Sequence, residues 1–269
     1  MTMGAARIRA LLDEHDLAPS RALGQNFVID PNTVRRIAAL AGVGPDSHAL
    51  EIGPGLGSLT LALAETGASV TAVEVDRHLV PVLRSVVADV VPPVTVVHGD
   101  ALEIDLHELL SGAPTWRLAA NLPYNVGTTI LLRILEEAPE VSGGVVLVQR
   151  EVAERLAAGP GDAAHGIPSV KTAWWASASV AGRVPPTVFH PRPRVDSALV
   201  TLERREPPGD DALRRRVFAL VDAGFGQRRK MLRRSLADHL DASAFGSAGV
   251  APTARAEELA LDDWVRLAR

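Results

Sequence analysis

Cysteine is absent from the 269-residue chain, which excludes disulfides and thiolate metal ligands. The eight histidines are scattered without a paired spacing such as H-x-x-x-H, so no metal is expected. No apolar run approaches the roughly 18–20 residues of a membrane span. With 47% hydrophobic residues the chain reads as a soluble globular protein with no membrane partner. The N-terminal stretch Met1–Arg7 leads into an amphipathic segment carrying Arg9, Asp13 and Glu14 and lacks the apolar core of a signal peptide, so no export is implied and a cytoplasmic location is expected. The dinucleotide fingerprint G-x-G-x-x-G is missing too, because the glycines of the first clear strand-to-helix turn fall at 53, 55 and 57.

A surplus of positive charge is also lacking: the formal charge is −4, which as an average argues against a nucleic-acid partner. The distribution says otherwise. Residues 1–182 carry 12 basic and 20 acidic groups, residues 183–234 carry 13 and 6, and residues 235–269 carry 3 and 6, giving −8, +7 and −3. Nearly all the basic groups are arginines, which suit bidentate phosphate contacts. Arg228, Arg229, Lys230, Arg233 and Arg234 fall in a stretch, Gln227–Leu236, that reads as helical. Phosphate backbone is their natural partner, and a solvated helix face the plainer alternative.

The clearest unit is βαβ. His48–Ile52 reads as a strand, Gly53–Gly57 as a glycine turn, Ser58–Glu65 as a helix and Val70–Asp76 as a second strand ending in two acids. Such a unit binds a nucleoside-containing cofactor: glycines let the backbone approach, and a carboxylate ending the second strand, Glu74, takes the ribose hydroxyls. Without a dinucleotide turn to cradle a pyrophosphate, S-adenosylmethionine is the better match. A third strand, Val94–Val97, leads to Asp100 at the same sheet edge, placed to accept from an adenine amino group or, in the plainer reading, to cap the next turn.

A fourth short apolar run, Leu118–Ala120, delivers Asn121-Leu122-Pro123-Tyr124-Asn125 ahead of the helical pattern Thr128–Glu137. These residue types suit one task. Tyr124 stacks on an adenine ring, while the Asn121 amide oxygen and a Leu122 or Pro123 carbonyl accept from its exocyclic amine. The five residues alone are equally compatible with a plain strand-to-helix turn.

Around this centre, Ile8–His15 reads as a short helix and Leu23–Val28 as a loop whose polar Gln25 and Asn26 need partners, before a helix opening at Asp30-Pro31. Downstream come a strand, Gly144–Gln149, a helix, Arg150–Ala157, and a Gly/Pro-rich loop, Gly159–Pro168, suited to gating. Ser169–Val180 has an ambiguous period, and its Trp174 and Trp175 read as packing residues. A stiff proline-rich stretch, Val184–Ser197, carries Phe189 as a candidate second face of a base sandwich before the last strand, Ala198–Leu202. Pro207-Pro208-Gly209 marks a linker to helices at Asp210–Ala223, Gln227–Leu236, Thr253–Ala260 and Leu261–Ala268. The expected architecture is α/β: a Rossmann-like methyltransferase sheet over residues 1–205 with an N-terminal helical extension, and a small C-terminal α-helical domain over 206–269 that binds RNA.

Eight motifs stand in order along nearly the whole chain: L-G-Q-N-F at 23–27, E-I-G-P-G-L-G at 51–57, V-E-V-D at 73–76, G-D-A at 99–101, N-L-P-Y-N at 121–125, Q-R-E-V-A at 149–153, F-x-P-x-P-x-V-D-S at 189–197 and F-G-Q-R-R-K at 225–230. In these the chain resembles the KsgA (RsmA) family of ribosomal RNA small-subunit adenine dimethyltransferases, which have the class I S-adenosylmethionine-dependent fold. The resemblance implies cofactor contacts at Asn26, Val28, Gly53, Glu74, Asp100 and Asn121. It implies as substrate two adjacent adenosines in the loop of the hairpin near the 3′ end of 16S ribosomal RNA, each methylated twice on N6 within an immature small subunit. A monomer is expected. The chain departs from the family at Val28, where Leu is more usual, at Met231 and Arg234, where T-x-x-N follows the basic run, and at Gly127-Thr128-Thr129.

The chemistry of the amine sets the mechanism expected. Its lone pair is delocalised into the purine, so two acceptors on N6 are needed to make the nitrogen pyramidal, and Tyr124 with Phe189 to hold the ring for in-line attack. No general base is required, since the methylated ammonium loses its proton to water. Three rivals remain: an Erm-type enzyme acting on large-subunit RNA, a subunit-assembly factor whose catalysis is secondary, and a nicotinamide oxidoreductase, disfavoured by the glycine spacing.

Overall fold

Short apolar runs become strands and the amphipathic stretches between them helices in the computed structural model, which describes residues 2–269. In chain order these are α1 (Ala5–Glu14), β1 (Phe27–Val28), α2 (Pro31–Ala41), β2 (His48–Ile52), α3 (Ser58–Ala64), β3 (Ser69–Glu74), α4 (Leu79–Val86), β4 (Thr95–His98), α5 (Leu106–Leu110), β5 (Trp116–Asn121) and α6 (Gly127–Glu137). There follow β6 (Val141–Gln149), α7 (Arg150–Ala157), α8 (Ile167–Trp175), β7 (Ala176–Val184), β8 (Phe189–His190), β9 (Ser197–Arg204), α9 (Asp211–Gly226), α10 (Leu232–Ser235), α11 (Ala242–Ala248) and α12 (Leu261–Ala268).

Among the described residues one sheet has the order β4-β3-β2-β5-β6-β9-β7, and β1 pairs with β8 in a separate antiparallel ladder. Strands β2 to β6 run parallel, and β9 returns antiparallel to β6. The chain moves outward from β2 to β4 and then comes back to β5 on the other flank of β2. That reversal opens a crevice at the carboxyl ends of the strands. Ile52 stands opposite both Val73 and Ala120, so the residues that follow, Gly53, Glu74 and Asn121, emerge side by side at this edge.

Helix α2 shows how local chemistry sets an element. The Asp30 side chain caps it by accepting from the Thr33 N–H at 2.9 Å, Pro31 sits in its first turn, and Gly42 ends it in the left-handed conformation. Its face of Val34, Ile37, Ala38 and Ala41 packs with the sheet residues Ala49, Ala119 and Val145.

The chain divides into two compact units, an α/β unit up to Ala153 with Ser179–Arg204, and a helical unit of Glu154–Ala178 with Arg205–Arg269. The sequence placed one boundary at 205/206; the structure adds residues 154–178 to the C-terminal helices. Trp174 is the reason. It is fully buried among Val217, Val221, Leu232 and Phe245, a burial that joins segments some 40–70 residues apart and that local periodicity does not reveal. The ambiguous 169–180 stretch resolves into the end of α8 and the start of β7. In the same core a Cβ on Gly224 would lie 2.6 Å from the Trp264 ring, so only glycine lets α9 come this close to α12.

One helix expected from sequence is not formed as such. Helix α9 runs on to Gly226, residues 227–230 make turns, Met231 is extended, and only Leu232–Ser235 is helical again. The Leu232 and Arg233 N–H groups donate to the Ala254 and Pro252 carbonyls at 2.8 and 3.1 Å. This tertiary pairing breaks the helix and buries Leu232 and Leu236 completely. Likewise the helix expected over Thr253–Ala260 is a single 3-10 turn at Ala256–Glu258.

Candidate active site

Two adjoining cavities, about 70 and 190 Å³, lie at the carboxyl edge of β2, β3 and β5. The first is lined by Asn26, Gly53, Glu74, Asn121, Leu122 and Tyr124 among others, the second by Gly53, Asp100 and Pro123 among others. Leu23 and Val75, large apolar side chains left 37% and 43% exposed, line both and give an apolar surface for a flat ring. Both stand inside motifs read from the sequence, Leu23 opening L-G-Q-N-F and Val75 within V-E-V-D, but their apolar side chains were not assigned to the site there.

The glycine turn is held open from both sides. Gly53 and Gly55 have φ of +67° and +58°, and a Cβ on Gly55 would meet the Phe27 ring at 2.8 Å. Glu74 anchors the turn: its Oε2 accepts from the Gly55 N–H and its Oε1 from the Asp76 N–H, both at 2.9 Å. Each oxygen keeps a lone pair free. The carboxyl is 4% exposed, and burial raises its pKa against the opposing pull of these two N–H groups. Asp100 accepts from the Leu102 N–H at 2.8 Å, so it caps its turn and lines the second cavity at once.

Segment 20–26 closes over the strand ends. Gln25 donates to Asp76 at 2.8 Å and accepts from the Ser20 N–H at 2.7 Å, which makes it a structural tie. Asn121 Nδ2 donates to the Asn26 carbonyl at 2.8 Å, and the Leu122 N–H to the Leu147 carbonyl at 3.1 Å. The Tyr124 hydroxyl bonds Ser197 Oγ at 2.6 Å; burial raises its pKa, with the Ser197 bond opposing.

Two residues singled out from the sequence lie elsewhere. Val28 is buried in β1 and lines a smaller recess with Glu51, Ser58 and Asn121. Phe189, 3% exposed, pairs with Val28 across the β1–β8 ladder and packs in the core with Val34 and Val184. Its ring lines none of these cavities, so the second face of a base sandwich is not supplied by Phe189 in this conformation; the ladder that covers the core takes it instead. The basic residues belong to the helical unit. Arg228 is closed there by Glu257 at 2.6 Å and by the Ala163 carbonyl at 2.8 Å, while Arg229, Lys230, Arg233 and Arg234 are exposed.

Glu51 was passed over by sequence reasoning except as part of a motif. It is 1% exposed, and among the described residues its Oε2 has no hydrogen-bond partner, nor does Ser58 Oγ in the same recess. Burial pushes its pKa up to about 8, with the nearby Thr60 hydroxyl pulling the other way and the Glu74 charge adding to the rise. A glutamate in a short apolar strand was the available signal.

A switch-point crevice with a glycine turn and a carboxylate at the end of the second strand, on a sheet of this order, defines a class I S-adenosylmethionine-dependent methyltransferase. Within that class the chain belongs to the ribosomal RNA adenine dimethylase family, whose pattern matches residues 19–269. It is a ribosomal RNA adenine dimethyltransferase with S-adenosylmethionine as methyl donor. It is 52% identical over 276 residues to the ribosomal RNA small subunit methyltransferase A of Leifsonia xyli subsp. xyli, covering 99% of this chain and 97% of that one. The protein of the same name from Thermobifida fusca is 49% identical over 272 residues, covering 98% and 94%. Among solved structures, the 23S rRNA methyltransferase ErmE matches with a TM-score of 0.70 at 28% identity, covering 90% of this chain and 98% of that one. A dimethyladenosine transferase from Plasmodium falciparum matches at 0.73 and 19% identity, covering 88% and 94%, a likeness of fold. Among the described residues no helix is long and apolar enough to cross a membrane.

Proposed function

We propose that this chain dimethylates N6 of two adjacent adenosines in the loop of the hairpin near the 3′ end of 16S ribosomal RNA, acting as a monomer in the cytoplasm on the immature small subunit. The orientation of the Asn121 amide carries the reading. Because Nδ2 is committed to the Asn26 carbonyl, Oδ1 is the acceptor left for an incoming N–H. The Pro123 carbonyl already accepts from the Gly127 N–H at 2.8 Å, which favours the Leu122 carbonyl as the second acceptor. Two acceptors draw the amine out of conjugation, and Tyr124, steadied by Ser197, offers the ring against which the base stacks. S-adenosylmethionine, when bound, supplies an electrophilic methyl on its sulfonium sulfur. The open glycine turn, the free lone pairs of Glu74, the Asp100 carboxylate and the apolar Val75 and Leu23 fit such a molecule. Gly53, Glu74, Asp100 and Asn121, with Asn26 from the covering segment, are assigned to hold it, while Val28 of β1 faces the smaller recess beside Asn121. The methylated nitrogen loses its proton to water.

The small-subunit methyltransferase A relatives at 49–52% identity support the small subunit over the large-subunit RNA named for ErmE. Radiolabelled methyl transfer to immature small and large subunits, with the modified nucleotide mapped, is the test. Label on the large subunit, or on a nucleotide other than the paired adenosines, overturns this reading.

Glu74→Ala is expected to weaken S-adenosylmethionine by on the order of 1–3 kcal/mol through lost charge-assisted bonds. Titration calorimetry measures it on protein whose melting curve shows it folded. Unchanged affinity removes Glu74 from the cofactor site.

In the helical unit, Arg229, Lys230, Arg233 and Arg234 are assigned to RNA phosphate, with Arg228 holding their turn through Glu257. Replacing Arg229, Lys230 and Arg233 by Gln is expected to lower the salt slope of subunit binding by about 2–3, since each phosphate contact contributes roughly 0.7–0.9. Cofactor affinity stays the same. A wild-type slope moves the RNA surface elsewhere.

A further inference from the structure

Both ends of the segment 191–196 are tied to the active site. At one end His190 pairs with Phe27, one residue beyond the Asn26 whose carbonyl holds the Asn121 amide. At the other, fully buried Ser197 bonds the Tyr124 hydroxyl at 2.6 Å, and the Asp196 carbonyl accepts from the Arg150 N–H at 2.9 Å. An extended chain spans at most about 3.3–3.6 Å per residue. The Cα of Arg192 is therefore within roughly 7 Å of that of His190, and the Cα of Arg194 within about 11 Å of that of Ser197.

Both arginines are exposed, and among the described residues neither joins an ion pair, whereas Arg7, Arg117 and Arg228 are closed by Glu14, Glu203 and Glu257. Asp196 is the one acid between His190 and Ser197, so the segment is net positive in a chain that is net negative. Pro191 and Pro193 alternate with the arginines and restrict the backbone, which reduces the ordering that binding must impose.

We propose that Arg192 and Arg194 bind the phosphates flanking the target adenosine, a contact at the site itself and separate from the basic turn of the helical unit. A nucleotide extruded into a pocket brings its own two phosphates to the pocket mouth, and a guanidinium fork matches phosphate geometry. The same stiff segment ends in Ser197, a positioning residue for the Tyr124 ring, so backbone docking and base stacking are set by one stretch of chain. This inference rests on the RNA-methylating reading above.

The double variant Arg192→Gln, Arg194→Gln in the full chain is the test, with binding to immature small subunits followed as a function of salt. The slope is expected to fall by about 1.4–1.8, with KM for the subunit raised, kcat nearly kept and calorimetric affinity for S-adenosylmethionine unchanged. Ser197→Ala is expected to do the opposite, lowering kcat while leaving KM and the salt slope in place. A wild-type slope in the double variant, with a wild-type melting curve, overturns the phosphate contact; a wild-type kcat in Ser197→Ala overturns the positioning role. The functional reading is checked apart from these, by whether the unaltered enzyme dimethylates the small subunit at all, because the salt slope is read from binding and not from catalysis.

Discussion

Asn121→Ala is expected to lower single-turnover methyl transfer by about 10²–10³-fold, the size of effect seen when one preorganised group facing developing charge is removed. The amine enters as a flat, conjugated nitrogen and leaves as a tetrahedral one carrying positive charge. In the proposed mechanism its bonds to Asn121 Oδ1 and the Leu122 carbonyl are stronger at the transition state than on binding, and the loss falls on rate. The amide is oriented in advance by the Asn26 carbonyl at 2.8 Å, so no reorganisation is needed when substrate arrives. Asn121→Asp is expected to restore little: it keeps an acceptor but sets a carboxylate oxygen against the Asn26 carbonyl. Rapid-quench transfer at saturating subunit measures the rate, and filter binding shows that the complex still forms. A rate within a few-fold of wild type in Asn121→Ala would remove the residue from the reaction.

Stability is expected to fall as pH rises from about 4.5 to about 8, because of Glu51. In the folded chain its pKa is about 8, against 4.5 for an unperturbed glutamate. Between those values the native state holds a proton that the unfolded chain has released, so raising the pH favours unfolding, and the contribution is lost by the time pH passes the folded pKa. The loss by pH 8 is on the order of 4 kcal/mol. Glu51→Gln keeps the shape of the protonated group and removes the titration. The variant is expected to match wild type near pH 5 and to exceed it by several kcal/mol at pH 8 in urea denaturation. The pKa of Glu74 is also raised and its slope has the same sign; that contribution is present in both proteins, so the difference between them reports Glu51 together with its coupling to Glu74. Parallel stability curves across this range would show that Glu51 is ionised in the folded state.

Much of the secondary structure was legible because its signals are local. The strand His48–Ile52 and the helices Arg150–Ala157 and Leu261–Ala268 have the bounds read from sequence, since short apolar runs, capping residues and glycine turns act over a few residues. The same holds for Gly53, Glu74 and Asn121. Each ends or follows a strand, and parallel strands in register bring such positions to one edge. What failed was set by distant partners. The basic run reads as a helix by its own periodicity, yet the Pro252 and Ala254 carbonyls take its N–H groups and split it. With the helix goes the expectation of a continuous basic helix over Gln227–Leu236, and Arg228 turns from a phosphate ligand into the partner of Glu257. Phe189 has the chemistry of a stacking residue, but pairing with β1 sends its ring into the core.

By itself, then, the sequence determined the sheet class, the cofactor-type turn and the family, because each depends on residue types at short fixed spacings. The tertiary structure alone decided that Glu51 is a buried acid, that Trp174 draws residues 154–178 into the helical unit, that Asn121 is aimed by Asn26, and that Ser197 holds Tyr124. Those pairs are separated by roughly 40 to 95 residues in the chain. Desolvation and hydrogen-bond partnership depend on what folding brings within a few ångströms, and no local pattern encodes that distance.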